Sequence, residues 1–124
     1  MQKKGDELTE KIIGAAIEVH RILGPGLLES IYEEALTYEL ELRNIKCKRQ
    51  VEVDVIYKNK TIKGLRLDML VEDTVVIEIK CQKDLPAVAF AQTLSYIKAT
   101  GLSKALLLNF GNEKLIDGVK RIIL

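Results

Sequence analysis

Asp68, Glu78 and Lys80 are two carboxylates and an amine whose spacing can bring all three to one place. Leu65, Leu67, Met69 and Val71 alternate with Arg66, Asp68 and Leu70, the period of a half-buried strand. Val75, Ile77 and Ile79 alternate with Val76, Glu78 and Lys80 in the same way. If Glu72-Asp73-Thr74 forms a three-residue turn, Val71 faces Val75 and Asp68 falls opposite Glu78. One face then carries the seven apolar residues Leu65, Leu67, Met69, Val71, Val75, Ile77 and Ile79. The other carries Arg66, Asp68, Glu78 and Lys80. Directly opposed β-carbons lie about 4.5–5.5 Å apart, where like charges are destabilising. A divalent cation between them gives two such carboxylates a reason to be adjacent, so the pattern begins a metal-dependent site. Two other readings fit the same residues. Arg66 diagonal to Glu78, and Lys80 diagonal to Asp68, would make an ordinary exposed salt-bridge lattice. A two-residue turn would shift the register and send Asp68 and Glu78 to opposite faces.

The elements around this hairpin follow from periodicity and punctuation. Thr9 or Asp6 can cap a first helix running to Leu23, with Ile13, Ala16, Ile17, His20 and Leu23 on one stripe and Gly24-Pro25-Gly26 as its stop. A second helix is expected from Leu28 to Arg43, with Leu28, Ile31, Tyr32, Ala35 and Leu36 inward and Asn44 as its end. Val51 to Tyr57 alternates as a strand, Lys58-Asn59-Lys60 turns, and Thr61 to Val71 returns; with Val75 to Lys80 this makes a three-strand antiparallel meander. Pro86, after Asp84 as a cap, opens a helix that Gly101 ends. Its expected buried stripe is Ala87, Phe90, Ala91, Leu94 and Ile97, with Gln92 and Tyr96 on the flank, four apart and on one face. Lys104 to Phe110 is a near-continuous apolar run, as in a strand buried on both faces. The helix between makes this a crossover, so that strand should lie parallel to the third. Val119 to Leu124 adds a short edge strand. The expected fold class is α/β: one mixed sheet with helices packed on it, in a single domain spanning residues 1–124.

Apolar residues make up 48% and charged residues 30%, the balance of a globular protein. No apolar run approaches a membrane span and the N-terminus lacks the apolar core of a signal peptide, so no membrane partner and a cytoplasmic location are expected. Cys47 and Cys81 lack metal-ligand spacing and read as reduced bystanders. His20, the one histidine, sits among apolar residues and reads as a packed, hydrogen-bonded side chain. No glycine-rich phosphate loop is present. The net charge of +1 hides an asymmetry: residues 43–66 hold eight bases against two acids, while residues 1–42 hold nine acids against four bases. Lys58, Lys60, Lys63 and Arg66 lead into the carboxylate hairpin, which suits a polyanion such as nucleic acid. A solvated edge strand protected by lysines is the alternative.

Asp68, Glu78-x-Lys80 and Gln92-x-x-x-Tyr96, in the order strand, strand, helix, resemble the PD-(D/E)XK nuclease superfamily. Gly26-Leu27-Leu28-Glu29-Ser30-Ile31-Tyr32 further resembles the signature of its GxxExxY family, as do Val19 to Pro25 and Asn109-Phe110-Gly111. The resemblance covers about Ile12 to Ile123 and implies a restriction-endonuclease-like fold. It also implies Mg²⁺ or Mn²⁺ held by Asp68, Glu78 and the Ile79 carbonyl, with Lys80 at the attacking water. Glu29 would correspond to an extra acid from an early helix, and Gln92 and Tyr96 would border the site. Without the signature, Glu29 is an acid in a first helical turn, and Glu33 and Glu34 beside it read as solvated charges. Leu67 stands where many members have a proline. The implied activity is phosphodiester hydrolysis in nucleic acid, DNA ahead of RNA, with a homodimer or a partner protein supplying recognition. The rival expectation is a non-catalytic module that binds nucleic acid or protein on the same scaffold.

Overall fold

The computed structural model describes the backbone of residues 3–124 and the side chains from Glu7 onward. Helices α1 (Lys3–Leu23) and α2 (Glu29–Leu42) precede strands β1 (Cys47–Tyr57), β2 (Lys60–Val71) and β3 (Val75–Lys80). Helix α3 (Ala87–Thr100), strand β4 (Lys104–Asn109), a 3-10 turn at Leu115–Gly118 and strand β5 (Val119–Ile123) follow. The five strands lie in chain order, with β3 and β4 parallel and the other neighbours antiparallel. Alternation along β3 divides the core. Val75, Ile77 and Ile79 pack under α1 and α2 with Tyr32, Leu36, Leu40, Leu106 and Phe110. Val76 faces the other way, with Ile97 of α3, Ala105 and Leu67.

The hairpin that carries the acids has the expected turn. Val71 pairs with Val75, Leu70 with Val76 and Met69 with Ile77. Glu72 and Asp73 take left-handed backbone conformations (φ 51° and 56°) to make the reversal. The β1–β2 pairing is longer than periodicity suggested: β1 begins at Cys47, which pairs with Val71, and the tip is a two-residue turn at Lys58-Asn59 because Tyr57 pairs with Lys60.

The helix faces differ from the expected stripes. α1 begins well before Thr9, so neither Thr9, which is buried inside it, nor Asp6, whose side chain lies outside the described residues, marks its start. Ile13, Ala16 and His20 are buried as expected, but Ile17 and Leu23 are exposed, and Ile12, Ala15 and Val19 take their place. α1 packs on α2 as well as over the sheet, so its buried arc is turned from the simple stripe. Leu28, which caps α2 instead of lying within it, and Ile31 are exposed, while Tyr32, Glu33, Leu36 and Leu40 are buried. On α3 the buried row is Ala89, Thr93 and Ile97, with Ala87 and Ala91 exposed. Thr93 is accommodated there because its hydroxyl donates to the Ala89 carbonyl at 2.9 Å. Asp84 does not cap α3; Pro86 occupies that position without a side-chain cap, and Gly101 closes the helix at φ 76°.

Candidate active site

Beyond Met69–Ile77 the β2–β3 ladder opens, and the two acids take over its hydrogen bonds. The Asp68 N–H donates to Glu78 Oε2 at 3.1 Å, and the Ile79 N–H donates to Asp68 Oδ2 at 2.8 Å. Each carboxylate thus satisfies a backbone donor of the opposite strand, which fixes both acids at the point where the strands part. Glu78 is buried, with 4% of its surface exposed, and Asp68 is half-buried. Burial, then the Asp68 charge, pushes the Glu78 carboxyl up to about 8, against the opposing pull of the Asp68 N–H and Lys80. Burial also raises Asp68, with the Ile79 N–H opposing and the charge of Glu33 adding. This is not an exposed lattice: Arg66, expected beside the acids, pairs with Glu52 across β1, and Lys63 pairs with Asp54.

Leu67 also departs from the expected face. It packs with Val76 and Ile97 on the α3 side, whereas Met69 and Val71 pack under α1 and α2. The strand therefore changes face across Asp68. The same step is irregular in β1, where Arg49 pairs with Met69 and Val51 with Leu67 but no Gln50–Asp68 pair lies between. Gln50 there has φ 52°, left-handed and unusual for a residue with a side chain inside a strand.

Lys80, at the end of β3, is half-buried. Glu29 opens α2 and lies close enough for its charge to act on Asp68, Glu78 and Cys81, whose thiol is pushed up to about 11 by burial and by Glu29. Tyr96, from the later half of α3, feels the same acids: burial first, then Glu78 and Asp68, raise its hydroxyl, while a hydrogen bond with Gln92 opposes them. Asp68, Glu78, Lys80, Glu29, Tyr96 and Gln92 are thus gathered around one end of β3. Lys58, Lys60 and Lys63 are not among them; they stand on the outer part of the β1–β2 hairpin, with the Lys58 ammonium 5.4 Å over the Tyr57 ring. Among the described residues, no three side chains drawn from His, Cys, Asp and Glu are grouped as metal ligands.

Two structural locks hold the surroundings. Tyr32, stacked on Phe110 with ring centres 4.5 Å apart, donates its hydroxyl hydrogen to the Gly24 carbonyl and accepts from the Leu27 N–H at 3.2 Å. That ties the α1–α2 loop just before Glu29. Asn109 grips Gln82 at both backbone groups, at 3.0 and 2.8 Å, immediately after Lys80 and Cys81. His20 packs beside Phe110 and its Nε2 meets the Asn112 carbonyl at 2.9 Å, as a structural histidine should.

Sequence reasoning missed Glu33. Far from solvated, it is 6% exposed and accepts from Arg49 Nε and Gln50 Nε2, each at 2.9 Å; Glu34 is exposed, as expected. The signal was the helical period, since Glu33 shares a row with buried Leu36 and Leu40.

A mixed five-stranded sheet between helices, with an acid pair and a lysine where two central strands part, defines an α/β fold of the restriction-endonuclease kind. The family model of the PD-(D/E)XK nuclease superfamily matches residues 6–122, and the chain belongs to that superfamily. Among solved structures, the crystal structure of SSO0001 is similar, with a TM-score of 0.53 and 24% identity, a likeness of fold. The match covers 74% of this chain and 46% of that one, so this chain spans under half of its length. No curated protein sequence matches. No helix among the described residues is long and apolar enough to cross a membrane.

Proposed function

We propose that the chain is a divalent-metal-dependent nuclease core that hydrolyses phosphodiester bonds in nucleic acid, of the GxxExxY kind. One observation carries this reading: Asp68 and Glu78 are held together under partial burial, where both are readily ionised only if a cation joins them. The donors fit a hard cation, since two carboxylates and the Ile79 carbonyl are all oxygen ligands of the type Mg²⁺ and Mn²⁺ prefer. Bound there, the ion would polarise a phosphate and acidify a water. Lys80 contributes a positive charge beside the developing negative charge of the reacting phosphate. Glu29 adds negative charge on the open side, where it can hold a water or strengthen cation binding. Tyr96 and Gln92 border the site on the α3 side. Lys58, Lys60, Lys63 and Arg66 would meet the phosphate backbone away from the reacting bond, DNA ahead of RNA. Recognition from a second copy or a partner protein belongs to the same reading.

The test is cleavage of a panel of DNA and RNA substrates with Mg²⁺ or Mn²⁺ by the wild type and Lys80→Ala, prepared identically. Lys80→Ala should lose on the order of 10²-fold in rate, the scale of one lost electrostatic stabiliser. Metal should raise the melting temperature of the wild type and leave Asp68→Asn nearly unmoved. Equal cleavage by both proteins would mark a contaminant and remove Lys80 from its role. No cleavage with an intact metal response would favour the non-catalytic binding module.

A further inference from the structure

We infer that Glu33, acting through Gln50, is a positioning residue for Asp68. Three observations meet at one register step. Glu33 is a buried carboxylate with both oxygens occupied, one by the Arg49 guanidinium and the other by the Gln50 amide. Gln50 holds a left-handed backbone in mid-strand, a conformation that persists only when its surroundings over-determine it. Directly across from it, Asp68 leaves the β1–β2 ladder, and β2 turns its next apolar residue to the other face of the sheet.

The physical link runs from helix to strand to acid. A regular β1 would pair Gln50 with Asp68 and keep Leu67 and Met69 on one face. Glu33 instead pulls two successive residues of β1, Arg49 and Gln50, toward α2. Successive strand residues normally point to opposite faces, so holding both from one side requires the backbone to turn between them. The left-handed Gln50 is that turn. Its cost falls on β1, and its result is that the Asp68 side chain is free to accept from the Ile79 N–H at 2.8 Å. Glu33 is not itself a free ligand, because its oxygens are engaged; its charge reaches Asp68 while its hydrogen bonds set where Asp68 stands. The importance of that placement for cation binding rests on the nuclease reading; the placement itself does not.

The experiment reads the amide resonance of Ile79 in metal-free, ¹⁵N-labelled protein, because its proton reports the bond to the Asp68 carboxylate. Mn²⁺ affinity is measured on the same samples by calorimetry. The variants are Glu33→Ala, Gln50→Val and Gln50→Gly, with Asp68→Ala as the reference for a lost acceptor and Ile13→Val as a control for lowered stability alone. Valine disfavours the left-handed backbone and carries no amide, so Gln50→Val should move the Ile79 resonance toward its Asp68→Ala position and weaken Mn²⁺ binding at least about tenfold. Glu33→Ala should do the same, and Gln50→Gly, which tolerates the turn but lacks the anchor, should fall between. Ile13→Val should leave both readings unchanged. An unmoved Ile79 resonance in Gln50→Val and in whatever folded Glu33→Ala is obtained would overturn the inference. If the wild type binds no Mn²⁺, the metal reading of the acid pair fails, while the Ile79 resonance still decides whether Glu33 positions Asp68.

Discussion

Glu78 carries the sharpest consequence of any single residue. Its carboxyl, near 4.5 in the unfolded chain, is pushed up to about 8 in the fold, by burial first and the Asp68 charge second. Between those values the folded protein keeps a proton that the unfolded chain has released. Stability should therefore fall as pH rises through that window and change little below it on this account. Measured in chelator at about pH 5, 6.5 and 8, the wild-type urea midpoint should decline more steeply than that of Glu78→Gln, which has no such proton to lose. Parallel curves would mean that Glu78 is solvated. At this scale the sequence was legible where chemistry follows alternation, as for Asp68, Glu78 and Lys80. For Glu33 the helical row with Leu36 and Leu40 pointed to burial, but its partners Arg49 and Gln50 lie on another element and only the tertiary fold brings them near.

Among the elements, the segment that leaves β3 depends on a close approach. Asn109 binds Gln82 through both of its backbone groups, and a β-carbon on Gly111 would sit 2.2 Å from the Gln82 carbonyl oxygen. Gly111→Ala should force that segment to move and cost about 1–3 kcal/mol, read from urea unfolding. Gly14→Ala is the contrast: its β-carbon would meet nothing nearer than Arg43 at 3.5 Å, and a helical alanine should be neutral or stabilising. Equal losses in the two would discount the clamp. The strands and their turn were readable from period two, and β4 from its apolar run. The helix faces were not: α1 and α3 have apolar residues on more than one side, so periodicity could not choose between Ile17 and Val19, or between Ala91 and Thr93. Nor could it show that β2 would turn over at Asp68, since that depends on a backbone torsion at Gln50 in the neighbouring strand.

Across the whole molecule, the excess of positive charge in residues 43–66 is partly spent internally. Arg43 pairs with Glu39, Lys48 with Asp73, Arg49 with Glu33, Lys63 with Asp54 and Arg66 with Glu52. Lys58 and Lys60, at the hairpin tip, take part in none of these pairs. Reversing Lys58, Lys60 and Lys63 to glutamate should weaken oligonucleotide binding and flatten its salt dependence, with most of the change from Lys58 and Lys60. Anisotropy titrations at stepped KCl would read this; an unchanged slope would assign the lysines to guarding the strand edge. The acid pair, by contrast, is a local contact, since Asp68 and Glu78 are only ten residues apart in sequence. A loop that short closes at little entropic cost, whereas Glu29 and Tyr96 must be brought in from distant parts of the chain. A partly folded chain can therefore bring the two acids near each other before α2 and β1 set their final geometry. On the nuclease reading, a divalent cation that joins the acids at that stage seeds the fold from the hairpin outward.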